Sequence, residues 1–176
     1  MFITIISIVI VVLVIAIIAI YLGVHFKRKS NAINNIEGLL QEILDEHKSQ
    51  ANKFIKSKKN ECYDYYLETL TDIYYIKVLY NFNNYEISIN SRYKWQYKTD
   101  ITDEKLRFVE GITEFVNFHS KELKKKVTKL CLIYPNSSSL LYYINESDIA
   151  FVRPEEALYG INFITYERLN SNHNLI

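Results

Sequence analysis

Arg92, Lys94, Trp95 and Lys98 set three cations beside an indole within seven residues. That combination grips single-stranded nucleic acid, with the cations on phosphates and the ring stacked on a base. The same lysines alternating along an edge strand would instead block sheet-to-sheet pairing. Four histidines, His25, His47, His119 and His173, are scattered, with no pair at the i,i+4 spacing of a helical metal site, so no metal centre is expected. Cys131 sits in an apolar run and reads as an inert core thiol, while Cys62 lies near Lys58 and Lys59 with no histidine close in sequence. Ser137, Ser138 and Ser139 follow an apolar run but form no G-x-S-x-G elbow, so they read as a polar turn.

These residues belong to a chain of 176 residues with 21 basic and 20 acidic side chains, a net charge of +1. The balance excludes the strongly basic mode of nucleic-acid binding seen where phosphate neutralisation drives affinity. Two cysteines exclude a disulfide framework, and four glycines exclude glycine-loop nucleotide sites. The 15 tyrosines follow a general bias toward Ile, Asn, Lys and Tyr, which accounts for them without a stacking surface.

Residues 1–26 contain no Asp, Glu, Lys or Arg and are mostly Ile, Val, Leu and Ala. About 20 such residues cross a hydrocarbon core of roughly 30 Å. Nothing basic precedes the run, and Ala16 and Ala19 are wrongly spaced for a signal-peptide cleavage site, so an uncleaved transmembrane anchor is expected. Lys27, Arg28 and Lys29 follow at once; the positive-inside rule places them, and all that follows, in the cytoplasm, with the N-terminus outside the cell membrane. The cytosolic setting predicts free thiols at Cys62 and Cys131.

Residues 27–60 hold eight basic and four acidic side chains, a local net of +4 beside the bilayer. Anionic head groups attract such clusters by about 1 kcal/mol per nearby cation, which makes Lys27, Arg28 and Lys29 candidate lipid contacts. Ile33, Ile36, Leu40 and Ile43 fall on one helical stripe that weakens after about two turns, at His47, Gln50 and Phe54. The stripe suits a helix that docks on the domain, or one that pairs with a protein partner or a second copy.

Beyond the stalk the period changes. The spans 73–82, 85–90 and 93–97 read as three strands, the first two joined at Asn83-Asn84. Leu106, Val109, Ile112, Phe115, Val116 and Leu123 repeat at helical spacing, with Thr102 or Asp103 as N-cap and Lys124–Lys126 at the C-terminal end. Strands at 130–134 and 161–166, with a short apolar piece at 140–144 between them, complete the order. The expected fold is α/β: a transmembrane helix, then a mixed-sheet domain of order α-β-β-β-α-β-(short connection)-β. The expected segments are an anchor at 1–26, a basic amphipathic helix at 27–69, the α/β domain at 70–169 and a frayed tail at 170–176.

The stretch Thr71-Asp72-Ile73-Tyr74 to Ile89-Asn90-Ser91-Arg92-Tyr93-Lys94, then a helix and Leu130-Cys131-Leu132-Ile133-Tyr134-Pro135, resembles the PD-(D/E)xK nucleases, most closely their restriction-endonuclease branch. The resemblance covers about residues 70–166. It implies two carboxylates that hold magnesium and a lysine that steadies the attacking water. It puts Asp72 at the first carboxylate, after Thr71 where the family has proline, Asn90 at the second and Arg92 at the lysine. Asn90 brings no charge to an ion, and Arg92 stays protonated to about pH 12 or beyond and is no base. Glu86, or Glu110 or Glu114 on the next helix, would have to supply the missing acid. The implied protein is a single-pass membrane protein whose cytoplasmic domain keeps a catalytically degenerate nuclease-like scaffold for binding or assembly, with no cofactor. The alternative is a membrane-tethered, magnesium-dependent nuclease, with nucleic acid as its substrate.

Overall fold

The computed structural model describes residues 2–46, 53–58, 61–98, 107–121, 124–144, 148–153, 156–173 and 175, with side chains of the first helix from residue 10. The chain divides into two compact units, Met1–Gly38 and Leu39–Ile176.

The first unit is helical throughout its described length. Helix α1 (Phe2–Glu46) runs on into the second unit, and at 1.5 Å per residue its 45 residues measure about 68 Å. Its apolar side chains stand in the open: Ile20 is 68% and Tyr21 71% exposed. The helix is long and apolar enough to cross a membrane, and none of its most apolar stretch is buried by protein.

The second unit holds two five-stranded mixed sheets. Sheet A has the order β1 (Lys53–Lys56), β2 (Tyr65–Glu68), β3 (Asp72–Asn81), β7 (Lys126–Pro135), β10 (Ile161–Thr165). Sheet B has the order β6 (Arg107–Phe108), β5 (Lys94–Lys98), β4 (Glu86–Ser91), β8 (Leu140–Tyr143), β9 (Ile149–Phe151). Helices α2 (Ile112–Asn117) and α3 (Tyr166–Asn172) complete the described elements.

The centre of sheet A is the parallel pair β3–β7, in register from Asp72↔Lys126 to Asn81↔Pro135. Parallel strands are covered on both faces, and β7 accordingly buries Leu130, Cys131, Leu132 and Ile133 in succession. One face packs Leu79, Cys131, Ile133 and Phe163 against Ile87, Ile89 and Trp95 of sheet B and against Phe115 of α2. Trp95 and Phe163 meet at 5.4 Å between ring centroids. On the other face, α3 lies along β7 and β10, with the Tyr166 ring tilted at 56° to that of Tyr134, their centroids 4.8 Å apart.

Two adjacent crossovers carry the chain from sheet A to sheet B, one from β3 into β4 and one from β7 into β8. Asn81, 2% exposed, holds both: its Nδ2 donates to Tyr85 O at 2.7 Å and to Asn136 O at 3.0 Å, and its Oδ1 accepts from Tyr85 N at 2.9 Å. Asn84 turns the first crossover at φ 54, a left-handed conformation that Asn tolerates. The turn expected at the Asn pair is present, but it sends the chain into a second sheet.

Within the second unit the stripe residues Leu40 and Ile43 are fully buried, with Leu39 and Leu44 nearly so, which fits the docking expected of the stalk helix. Several expectations need correction. The stalk helix ends at Glu46, and Phe54, counted on the stripe, instead pairs with Leu67 in a short hairpin of β1 and β2. Among the described residues the helix expected after Thr102 is the short α2, which Gly111 starts at φ 68; Arg107 and Phe108 pair with β5, and Leu106 and Leu123 lie outside the described residues. Lys126 opens β7 and does not end a helix. The N-cap candidates Thr102 and Asp103 lie outside the described residues. The tail is ordered through α3, where Thr165 Oγ1 accepts from Arg168 N, and Leu175 is buried beyond it. Both cysteines are free, as expected.

Candidate functional site

The residues singled out in the sequence gather mainly on sheet B. Its inward positions, Ile87, Ile89 and Trp95, belong to the core. Period-2 alternation therefore turns Glu86, Ser88, Lys94, Gln96 and Lys98 outward. The registers Gln96↔Phe108, Ser88↔Gln96, Ser88↔Leu141 and Leu141↔Phe151 place one continuous row, Phe108–Gln96–Ser88–Leu141–Phe151, across all five strands.

The row has an unusual polarity. Its two ends are bare aromatic rings, Phe108 at 50% and Phe151 at 72% exposure, and Ile149 on β9 is also exposed. Between them lie half-buried Gln96, buried Leu141 and, at the centre, Ser88 at 0% exposure; neither Ser88 Oγ nor Gln96 Oε1 has a hydrogen-bond partner among the described residues. A buried unpaired polar group costs about 1–3 kcal/mol. Beside the row, Lys98 Nζ lies 3.3 Å from Glu86 Oε1, Ser139 Oγ donates to Glu86 Oε2 at 2.8 Å, and Lys94 Nζ sits 5.9 Å from the centroid of Phe108.

Of the nucleic-acid set, Arg92, Lys94 and Lys98 are exposed, but Trp95 is 1% exposed in the core and offers no face to a base. The edge-strand role of the lysines is not theirs either, because β5 is paired on both sides, with β4 and β6.

The nuclease-like set does not converge. Asp72 begins β3 on sheet A, bonded to Thr71, and by alternation it shares the face of Tyr74 and Ile76, opposite the face carrying Leu79 toward sheet B. Glu86 points out from sheet B. Asn90 lies at the irregularity between Ile89 and Ser91, and Arg92 is in the β4–β5 turn with its guanidinium 5.6 Å from the centroid of the Tyr93 ring. Glu110 and Glu114 are exposed at the start of α2.

Two lysines that hydrophobic periodicity does not flag stand between the layers. Lys77 continues the inward face of β3, 3.6 Å from Asp64 and close to Gly111, where a Cβ would come within 3.3 Å of its Nζ. Lys129 Nζ donates to Val116 O at 2.8 Å and to Phe115 O and Phe118 O at 3.4 and 3.3 Å, capping the negative end of α2. Burial, with Arg92 nearby, holds its pKa below the ordinary lysine value. Burial pushes the thiols of Cys62 and Cys131 up, Cys131 far more, so neither is an activated nucleophile. The signal for both lysines was a cation at a core-parity position of an apolar strand.

No family model, curated protein or solved structure matches the chain.

Proposed function

We propose that this is a single-pass membrane protein, anchored by the apolar part of α1 with its N-terminus outside the cell, whose cytoplasmic α/β domain works by binding and assembly and not by turnover. An exposed apolar helix favours lipid over water by roughly 25 cal/mol per Å² transferred. Lys27, Arg28 and Lys29 sit where anionic head groups would meet them.

The observation that carries the binding role is the outward row of sheet B. Phe108 and Phe151 stand exposed at the two ends of the row, on either side of buried Ser88, whose Oγ has no hydrogen-bond partner among the described residues. A partner that covers Phe108, Phe151 and the neighbouring exposed Ile149 would recover their apolar burial. The nuclease reading asks for two carboxylates and a cation around one ion, and Asp72 faces away from the sheet that carries Glu86, Asn90 and Arg92.

A photo-crosslinking residue at Phe151, in the full chain in native membranes, is expected to give a discrete higher-mass adduct that Phe108→Asp removes. The same residue at Leu70, which is exposed on the sheet A side, is the control. No adduct at Phe151, or an equal one at Leu70, would contradict the reading.

A further inference from the structure

The end of α1 and the C-terminal helix bring three ligating groups together in the second unit. Glu42 and Glu46 are one helical turn apart, so both carboxylates lie on one face of α1. His173 follows α3 at φ 49, and its Nδ1 lies 2.8 Å from Glu46 Oε1. One ligand atom from each of the three lies within 4.8 Å of the others. We infer that Glu42, Glu46 and His173 form a binding site for a divalent first-row transition-metal ion, joining α1 to the C-terminal helix.

The donor set decides the class of ion. One imidazole nitrogen and two carboxylate oxygens suit zinc, manganese, iron, cobalt or nickel, whereas calcium and magnesium prefer oxygen alone. Donors about 2.0–2.2 Å from one ion stand at most about 4.4 Å apart, so the present spread closes by small rotations of two exposed glutamates. His173 is held on both sides by packing, with Leu169 fully buried before it and Leu175 buried after it. Among the described residues, no Lys or Arg forms an ion pair with Glu42 or Glu46, which leaves the two carboxylates facing the imidazole. With three protein donors, the remaining positions on the ion are open to water. Sequence spacing hid the arrangement because it pairs a helical Glu-x-x-x-Glu with one histidine 127 positions from Glu46.

The test uses the full chain in detergent micelles, titrated with cobalt(II) alone and followed by its visible absorption. The expected result is saturation at one ion per chain, an affinity at least ~10-fold weaker in Glu42→Gln and in His173→Asn, and displacement by zinc but not by a 10-fold excess of calcium or magnesium. Zinc is also expected to raise the melting temperature of the wild type and not of the triple variant Glu42→Gln, Glu46→Gln, His173→Asn. Far-UV circular dichroism checks that each variant is folded, and Glu42→Gln, at an exposed position, tests the site even if His173→Asn misfolds. No saturable signal, an unchanged signal in folded Glu42→Gln, or equal competition by calcium would overturn the site.

Discussion

The side-chain amide of Asn81 donates to the backbone carbonyl of Asn136, 55 positions later, at 3.0 Å. That bond ties the β3–β4 crossover to the β7–β8 crossover, and therefore sheet A to sheet B, at one fully satisfied buried side chain. Ile87 N to Ser139 O at 2.9 Å and Ser137 Oγ to Tyr85 O at 2.9 Å reinforce it.

Asn81→Ala removes three hydrogen bonds and leaves Asn136 O and Tyr85 N without the amide, while Tyr85 O keeps Ser137 Oγ. A loss of about 3 kcal/mol is expected, which for a domain of this size lowers Tm by roughly 6–12 °C. Thermal melting followed by circular dichroism measures it; a change under about 1 kcal/mol would show that the crossovers hold without the amide.

Ser88→Ala deletes a buried hydroxyl with no partner among the described residues and is expected to raise the stability of the chain by about 1 kcal/mol, measured by thermal melting. Destabilisation by Ser88→Ala would mean that the hydroxyl is already satisfied.

Alkaline pH is expected to weaken the fold through Tyr97. Burial pushes its phenol up to about 12 from an ordinary value near 10. The unfolded phenol therefore ionises first, so stability is intact below about pH 10 and falls as pH rises toward 12. Tyr97 contributes on the order of 2–3 kcal/mol of that loss, and Tyr97→Phe flattens the alkaline limb. Tyr63 and Tyr159, also raised to about 12, act in the same direction, but solvent screening at these less buried groups reduces their share. An unchanged alkaline limb in Tyr97→Phe would show that its phenol titrates normally.

The sequence carried the long strands and lost the short ones. Ile73 to Phe82 and Leu130 to Tyr134 are dense in β-branched and aromatic residues, and both lie in or next to the two ten-residue strands β3 and β7. Lys53–Lys56 and Arg107–Phe108 have no pattern of their own and are strands only because Leu67 and Gln96 pair with them. The single mixed sheet became two because the Asn83-Asn84 turn specifies a reversal and not which sheet the chain rejoins. For the site, alternation puts Lys94 and Lys98 outward and Trp95 inward, so grouping Trp95 with the cations as a nucleic-acid grip ran against the strand's own period. The unpaired state of Ser88 and Gln96 depends on strands 40 to 60 residues apart in sequence and has no local signature.

Plasmid incubated with the full chain in magnesium or manganese is expected to stay intact, and Asp72→Ala to behave as wild type. Cleavage that Asp72→Ala abolishes would restore the nuclease alternative in spite of the outward face of Asp72.

Protease added outside intact cells, combined with N-terminal sequencing of the membrane-extracted chain, probes the anchor most directly. The expected result is a domain left uncut until the membrane is permeabilised, on a chain that still contains residues 2–26. Digestion of the domain from outside, or a mature chain that begins after Phe26, would contradict the anchored, cytoplasm-facing arrangement.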